Sequence, residues 1–264
     1  MTEEMRGKLD ELYRQYNRRE YVSPDPLEVL YSYDDTADRE IVALVASSLA
    51  FGRVGQILKK IFHVLEKMQS PPDFLRNSSR KQLERTFADF KHRWVTGTDL
   101  SAMLHGAGKL ISKHGSLEGA FSEHVKSGQQ TALPALKGFL KDLHKASGNN
   151  GRNRLLPDPD GGSALKRFNL FLRWMVRRDD VDPGGWSCIG PDMLLVPLDT
   201  HMHSICRHLD LTDRKQADMK TVLQITDAFR KVYPQDPVRY DFALTRLGIR
   251  EEIDKNSKLK RFFH

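Results

Sequence analysis

The chain has 264 residues, 39% of them hydrophobic, enough to bury one large core or two modest ones, so one or two domains are expected. The 42 Lys and Arg against 35 Asp and Glu give a net charge of +7 and a pI near 9.3, which favours polyanionic partners without naming one. With only Cys188 and Cys206, no four-cysteine iron–sulfur cluster, zinc site or disulfide framework is expected, and neither a signal-type N-terminus nor a bilayer-length apolar run stands in the sequence, so a cytoplasmic protein without membrane partners or cofactor is expected.

Met5, Leu9, Leu12, Tyr13 and Tyr16 recur at helical spacing after Thr2, a possible cap, and Pro24 with Pro26 are expected to stop that helix. From Asp38 the apolar run DREIVALVASSLAFGRVGQILKKIFHVLEKM predicts a buried helix broken in two near Gly52 and Gly55, with Pro71 and Pro72 ending the unit. Helical patterns follow Ser79, Asp99, Ser116 and Ala132, the second of them closed by Gly115. No alternating strand run of any length interrupts them. The loop SGNNGRNRLLPDPDGG then leads to Ser163, a candidate cap for the helix SALKRFNLFLRWMVRR, in which Phe168, Phe171, Leu172 and Trp174 read as core. A second loop, DDVDPGGWSCIGP, precedes the apolar LLVPL, and TVLQITDAFRKVY and PVRYDFALTRLGI predict two closing helices. The fold class is all-α.

Charge is concentrated between residues 141 and 178, where nine Lys or Arg meet three acids. Arg152, Arg154 and Arg167 surround a glycine-rich turn at Gly161 and Gly162 that runs through Ser163 into a helix, the arrangement of a phosphate cradle, although a charge run also serves as a solvated face.

Directly after LLVPL the chain reads DTHMH, and three readings stand side by side. Asp199, His201 and His203 resemble the Asp-x-His-x-His presented by the first barrel strand of metal-dependent amidohydrolases, but that motif opens a barrel and only 61 residues follow His203. Asp199 is also a good cap for a helix beginning at Thr200, with one hydrogen-bonded and one exposed histidine. The same geometry suits chemistry, because a carboxylate held at a helix start stays ionised and can stabilise a developing cation such as that formed on a sugar when an N-glycosidic bond breaks.

PLDTHMHSICRHLDL resembles the VDTHV-x-R-V-x-x-R-L-G segment of the helix-hairpin-helix DNA glycosylase superfamily, and GSALKRFNLFLRWM resembles the helix that follows its hairpin. PLEVLYSYDDTADREIVALVASSLAFGRVGQILKKI is similar to the first helices of that core, and RFNLFLRWMVRRDDVDPGGW with YDFALTRLGI marks a likeness to a bacterial branch. The resemblance implies an endonuclease III-like helical bundle, with residues 1–36 as an N-terminal helix and linker and 37–264 as two helical lobes with a cleft near 163–200. It implies DNA as partner, Asp199 as the catalytic aspartate and Lys166 as the Schiff-base lysine of lyase-competent members, which in the first turn of its helix would sit where the dipole disfavours its charge. It further implies His201, Tyr240 and Asp241 near the pocket, and neither metal nor cluster. The chain departs from the pattern where the hairpin keeps Pro157 but carries its glycines at 161 and 162, where Ser204 replaces an arginine, and where 33 positions separate Lys166 from Asp199. The function so implied is cleavage of the N-glycosidic bond of a flipped, damaged or modified base; a non-catalytic nucleic-acid-binding module of the same fold is the alternative.

Overall fold

The computed structural model describes residues 3–148 and 153–250; Thr2 and Arg152 lie outside them. The fold is all-α: among the described residues the one sheet is a hairpin of two-residue strands, which rules out an amidohydrolase-type barrel. Two compact units divide the chain. Among the described residues the first comprises 3–23, 162–184 and 189–250, and the second comprises 24–148, 153–161 and 185–188.

In the second unit, α2 (Thr36–Leu49) is buried almost all round, as its apolar run predicts, and the chain breaks before α3 (Val54–Glu66) at Gly52, whose φ of +106° only glycine adopts readily. Pro71 opens α4 (Pro71–Asn77) rather than ending a unit, because a missing N–H costs nothing in the first helical turn. Ser79 caps α5 (Arg80–Thr86) in a capping box with Gln82. The strands β1 (Lys91–His92) and β2 (Val95–Thr96) pair antiparallel and lead into α6 (Gly97–His114), which Thr96 and Asp99 cap reciprocally, so Asp99 lies in the first turn instead of before it. Ser116 caps α7 (Leu117–Ser122), and α6 packs on α8 (Leu133–Ser147) through Gly106, where a Cβ would come within 2.9 Å of the Leu143 carbonyl oxygen.

In the first unit, α1 (Glu3–Tyr16) ends well before Pro24 and packs on α12 (Asp241–Arg250); the two prolines fall instead at Pro24, outside any helix, and at Pro26, which opens a 3-10 segment of the second unit. Between these ends of the chain come α9 (Lys166–Val176), α10 (Thr200–His208) and α11 (Met219–Arg230), with α10 also against α12. Phe168, Phe171, Leu172 and Trp174 of α9 are all core, as their spacing predicts.

Glu40 of α2 is buried and accepts N–H groups from Leu117 (2.7 Å) and Glu118 (3.1 Å) at the start of α7 and from the Trp186 indole (3.1 Å). Burial outweighs these three donors and pushes its pKa from 4.5 up to about 7. Between those values the folded chain holds a proton that the unfolded chain has released, so stability falls as pH rises through the window, by about 3 kcal/mol for this group. Denaturant unfolding at pH 4.5 and pH 7.5 should show Glu40→Gln losing less stability across that interval than wild type; equal losses would remove Glu40 as the source.

Candidate functional site

Lys166 is the first residue of α9, and Asp199 is the cap of α10. The Lys166 Nζ lies 3.7 Å from Asp199 Oδ2, and both side chains keep roughly a third of their surface or less open to solvent, 27% and 34%. Asp199 divides its carboxylate: Oδ1 accepts the His201 and Met202 N–H groups, both at 2.9 Å, while Oδ2 faces the lysine. The cap and the ion pair therefore use different oxygens of one residue, and the start of α10 at Thr200 follows from the first of them.

The helix carrying Lys166 starts differently from expectation. Its cap is Leu165, in the left-handed region at φ +47°, with no side-chain bond to the helix; Ser163 instead bridges Asp218, and the Gly162 carbonyl accepts the Met219 N–H at 3.0 Å. A carbonyl turned towards α11 and two residues held in a bridge give this turn a partner of its own, so Gly162 and Ser163 do not frame an open phosphate cradle. Gly161 closes a turn on the Asp158 carbonyl at 3.3 Å, and Asp160 beside it pairs with Lys137 (3.2 Å) and Lys141 (2.8 Å). Arg154 is half-exposed and contacts Asp99 at 3.4 Å. Arg167 is half-buried, and burial lowers its pKa to about 10, so it remains charged at neutral pH.

The positive run between 141 and 178 is thus largely answered from within. Its strongest correction is at Arg173 and Arg177, which are buried, not presented to a polyanion. The Arg173 guanidinium binds Asp182 (2.9 and 3.1 Å) and Asp241, and Arg177 binds Asp182, Asp179 (2.8 Å) and Asp236 (2.9 Å). Burial disfavours both cations, and the carboxylates more than reverse it, so both are held firmly protonated. Asp179 carries the network on to Tyr13 and Asn17 of the N-terminal segment, each at 3.1 Å.

Asp241 belongs to this network and feels the charge of Asp199. It starts α12, is buried, and keeps one oxygen, Oδ1, without a hydrogen-bond partner. Burial pushes its pKa up to about 6, Arg173 opposes, and the charge of Asp199 adds to the rise, which places the two carboxylates within electrostatic reach. Tyr240, its neighbour, does not join them: the ring is core, edge-on to Tyr13, and the hydroxyl donates to Asp10 at 2.7 Å. His201 is exposed on the first turn of α10, and His203 makes a 2.9 Å bond with the Arg214 carbonyl. Among the described residues no three His, Cys, Asp or Glu side chains group as a metal site. A cavity of about 470 Å³ in the second unit, lined by Glu84, Phe90, Lys91 and Thr96 among others, contains neither Lys166 nor Asp199.

Arg173 and Arg177 belong in the sequence to the positive run open to a polyanion. The signal against that was their spacing of four residues on a helix whose neighbouring positions are Phe, Leu, Trp and Met, followed at once by the acids of RRDDVD. In unfolding experiments Arg173→Met, which leaves buried Asp241 without its ion-pair partner and Asp182 with Arg177 alone, should cost about 3–5 kcal/mol, whereas Asp199→Asn, which keeps a capping oxygen, should cost under about 1 kcal/mol. Similar losses for the two would contradict the division of labour described.

Residues 25–250 match the family described as a protein of unknown function (DUF2400), and the chain belongs to that family. No curated protein and no solved structure matches it.

Proposed function

We propose that this member of a family of unknown function acts on DNA, and that Lys166 and Asp199 form a centre for cleaving the N-glycosidic bond of a flipped base. The observation that carries the reading is the 3.7 Å approach of Nζ to an Asp199 oxygen that the helix cap leaves uncommitted, between residues 33 positions apart in sequence. It supports the helix-hairpin-helix glycosylase-like resemblance, which pairs a lysine and an aspartate in these roles. An ion pair alone is also compatible with a binding module that keeps the fold without chemistry, which the trapping experiment below separates.

In the proposed reaction the base leaves with the electrons of the glycosidic bond and takes up a proton, while ionised Asp199 stabilises the cationic sugar. Either water, or the Lys166 amine once its ammonium has given a proton to the departing base, supplies the lone pair for the new bond at C1′. If the amine attacks, the new C1′ ammonium loses a proton, and opening of the sugar ring gives an imine; borohydride reduces that imine to a stable amine. Asp241, with an unpartnered buried oxygen and a carboxylate held partly protonated near pH 6, adds a negative charge beside Asp199 only as pH rises past that value.

The test is a panel of duplexes bearing oxidised, deaminated and alkylated bases and an abasic site, incubated with wild type and variants in the presence of borohydride. Wild type should release at least one base or give a covalent adduct. Lys166→Ala should abolish the adduct, and Asp199→Asn should slow base release on the order of 10²-fold while remaining folded. No release and no adduct with any substrate would leave the non-catalytic module as the better reading. An adduct that survives Lys166→Ala would move the chemistry to another amine.

A further inference from the structure

A group of cations that form no ion pair among the described residues lies in the second unit, around the β1–β2 hairpin. Segments 50–63 and 90–98 contain Arg53, Lys59, Lys60, Lys91 and Arg93 and no Asp or Glu, and none of these five cations forms an ion pair among the described residues. The hairpin and the start of α3 are neighbours: the Lys60 Nζ lies 5.9 Å above the Phe90 ring, and a Cβ on Gly52 would sit 3.4 Å from the Arg93 side chain. At the hairpin tip stands Trp94, 54% exposed, the most exposed large hydrophobic residue among those described, with Phe62 of α3 next at 46%.

A single exposed aromatic is ordinary on a protein surface. This one is held in place. The buried His92 ring packs on Phe51, and its Nε2 bonds the Phe51 carbonyl at 3.0 Å, tying the hairpin to the turn between α2 and α3. Phe51 lies nearly parallel to the Trp94 indole, with 5.2 Å between centroids and 16° between planes, and the Arg93 guanidinium is 4.7 Å from the same indole centroid. Arg93 itself adopts φ +53°, a left-handed conformation that a non-glycine residue disfavours and that a tight, over-determined turn sustains. Fold stability would be better served by a glycine or asparagine at 93 and a polar residue at 94. Rigid support beneath an open indole, with uncompensated cations on both flanking segments, matches what unstacked bases on a phosphate backbone require: a planar π surface and a positive track.

We propose that the Arg93–Trp94 hairpin and the adjacent cations of α3 form a stacking surface for single-stranded nucleic acid, Trp94 receiving a base and Arg53, Lys59, Lys60, Lys91 and Arg93 the backbone phosphates. This extends the nucleic-acid partner of the reading above but not its chemistry, since Lys166 and Asp199 belong to the other unit. Acidic membranes and base-free polyanions are the competing partners for an exposed tryptophan among lysines, and they serve as controls.

The chain has three tryptophans, and Trp174 and Trp186 are 1% and 5% exposed, so quenching of emission on titrating the full-length protein reports on Trp94. Short oligo(dT) and oligo(dA) should quench it in a salt-dependent way, whereas heparin should bind without comparable quenching and phosphatidylserine vesicles should leave it unchanged. Measured by oligonucleotide anisotropy, Trp94→Ala should weaken binding about tenfold or more and Trp94→Phe by less, because a smaller ring still stacks. Wild-type protein that binds the oligonucleotides yet releases no base and gives no adduct with any substrate would sink the chemical proposal alone. Oligonucleotide affinity unchanged in Trp94→Ala, or vesicles quenching where oligonucleotides do not, would overturn the stacking surface.

Discussion

The first unit depends on two buried arginines. Arg173, in the last turn of α9, and Arg177, the residue that caps its end, share Asp182 and reach Asp241 at the head of α12, Asp236 before it and Asp179 beside the N-terminal helix. Removing two guanidinium groups from water is costly, and the cost is met only because every one of these carboxylates is fixed in place. Breaking any single contact would leave a charge in a low dielectric, so the segments at 13–17, 179–182, 236 and 241 cannot drift independently of α9. Lys166 begins that helix, and α10, which Asp199 caps, packs on α12. The 3.7 Å between them is a consequence of this framework, not of any local sequence preference.

Asp199 shows why capping and chemistry need not compete. A carboxylate at a helix start satisfies N–H groups with one oxygen and retains a second, and the bonds to the first keep the second from rotating away. An anion so held is oriented before any substrate arrives, which is the condition for electrostatic stabilisation without reorganisation. The nearby Asp241 adds to this arrangement with the opposite tendency. Burial favours its neutral form and the charge of Asp199 strengthens that preference, while the Arg173 guanidinium opposes it.

Much of the fold was legible because helical periodicity and capping are local. The buried α2, the break at Gly52, the caps at Ser79, Ser116 and Asp199 and the apolar face of α9 all follow from residues within a few positions of one another. The misreadings share a different origin. Ser163 has the right chemistry to cap α9, but it is drawn into a bridge with Asp218, 55 positions on, and Leu165 takes the cap position in a left-handed conformation that no composition signals. Pro71 carries the same missing N–H whether it ends one segment or begins the next, and the sequence does not choose between the two. Tyr240 and Asp241 are adjacent and looked alike as pocket candidates. One turns its hydroxyl to Asp10 near the other end of the chain, and the other turns its carboxylate to Arg173, so a one-residue step separates core packing from the site.

Charge was the least legible property, and the reason bears on function. A run of lysines and arginines raises the potential around a protein only where its members are left unpaired, and pairing is decided by residues far away in sequence. Between 141 and 178 the structure supplies Asp99, Asp160, Asp179, Asp182, Asp236 and Asp241 to Lys141, Arg154, Arg173 and Arg177, and internal contacts take up much of the apparent focus. Around Arg93 and Trp94 the sequence offers a weaker cluster of five cations, and among the described residues none of the five forms an ion pair; the nearby Asp89 pairs instead with His63 and Lys67. Unanswered charge at close quarters repels itself, and an exposed indole gains nothing from water, so both lower the stability of the free protein. A surface that keeps both, on a hairpin braced by His92 and Phe51, is organised around something outside the chain.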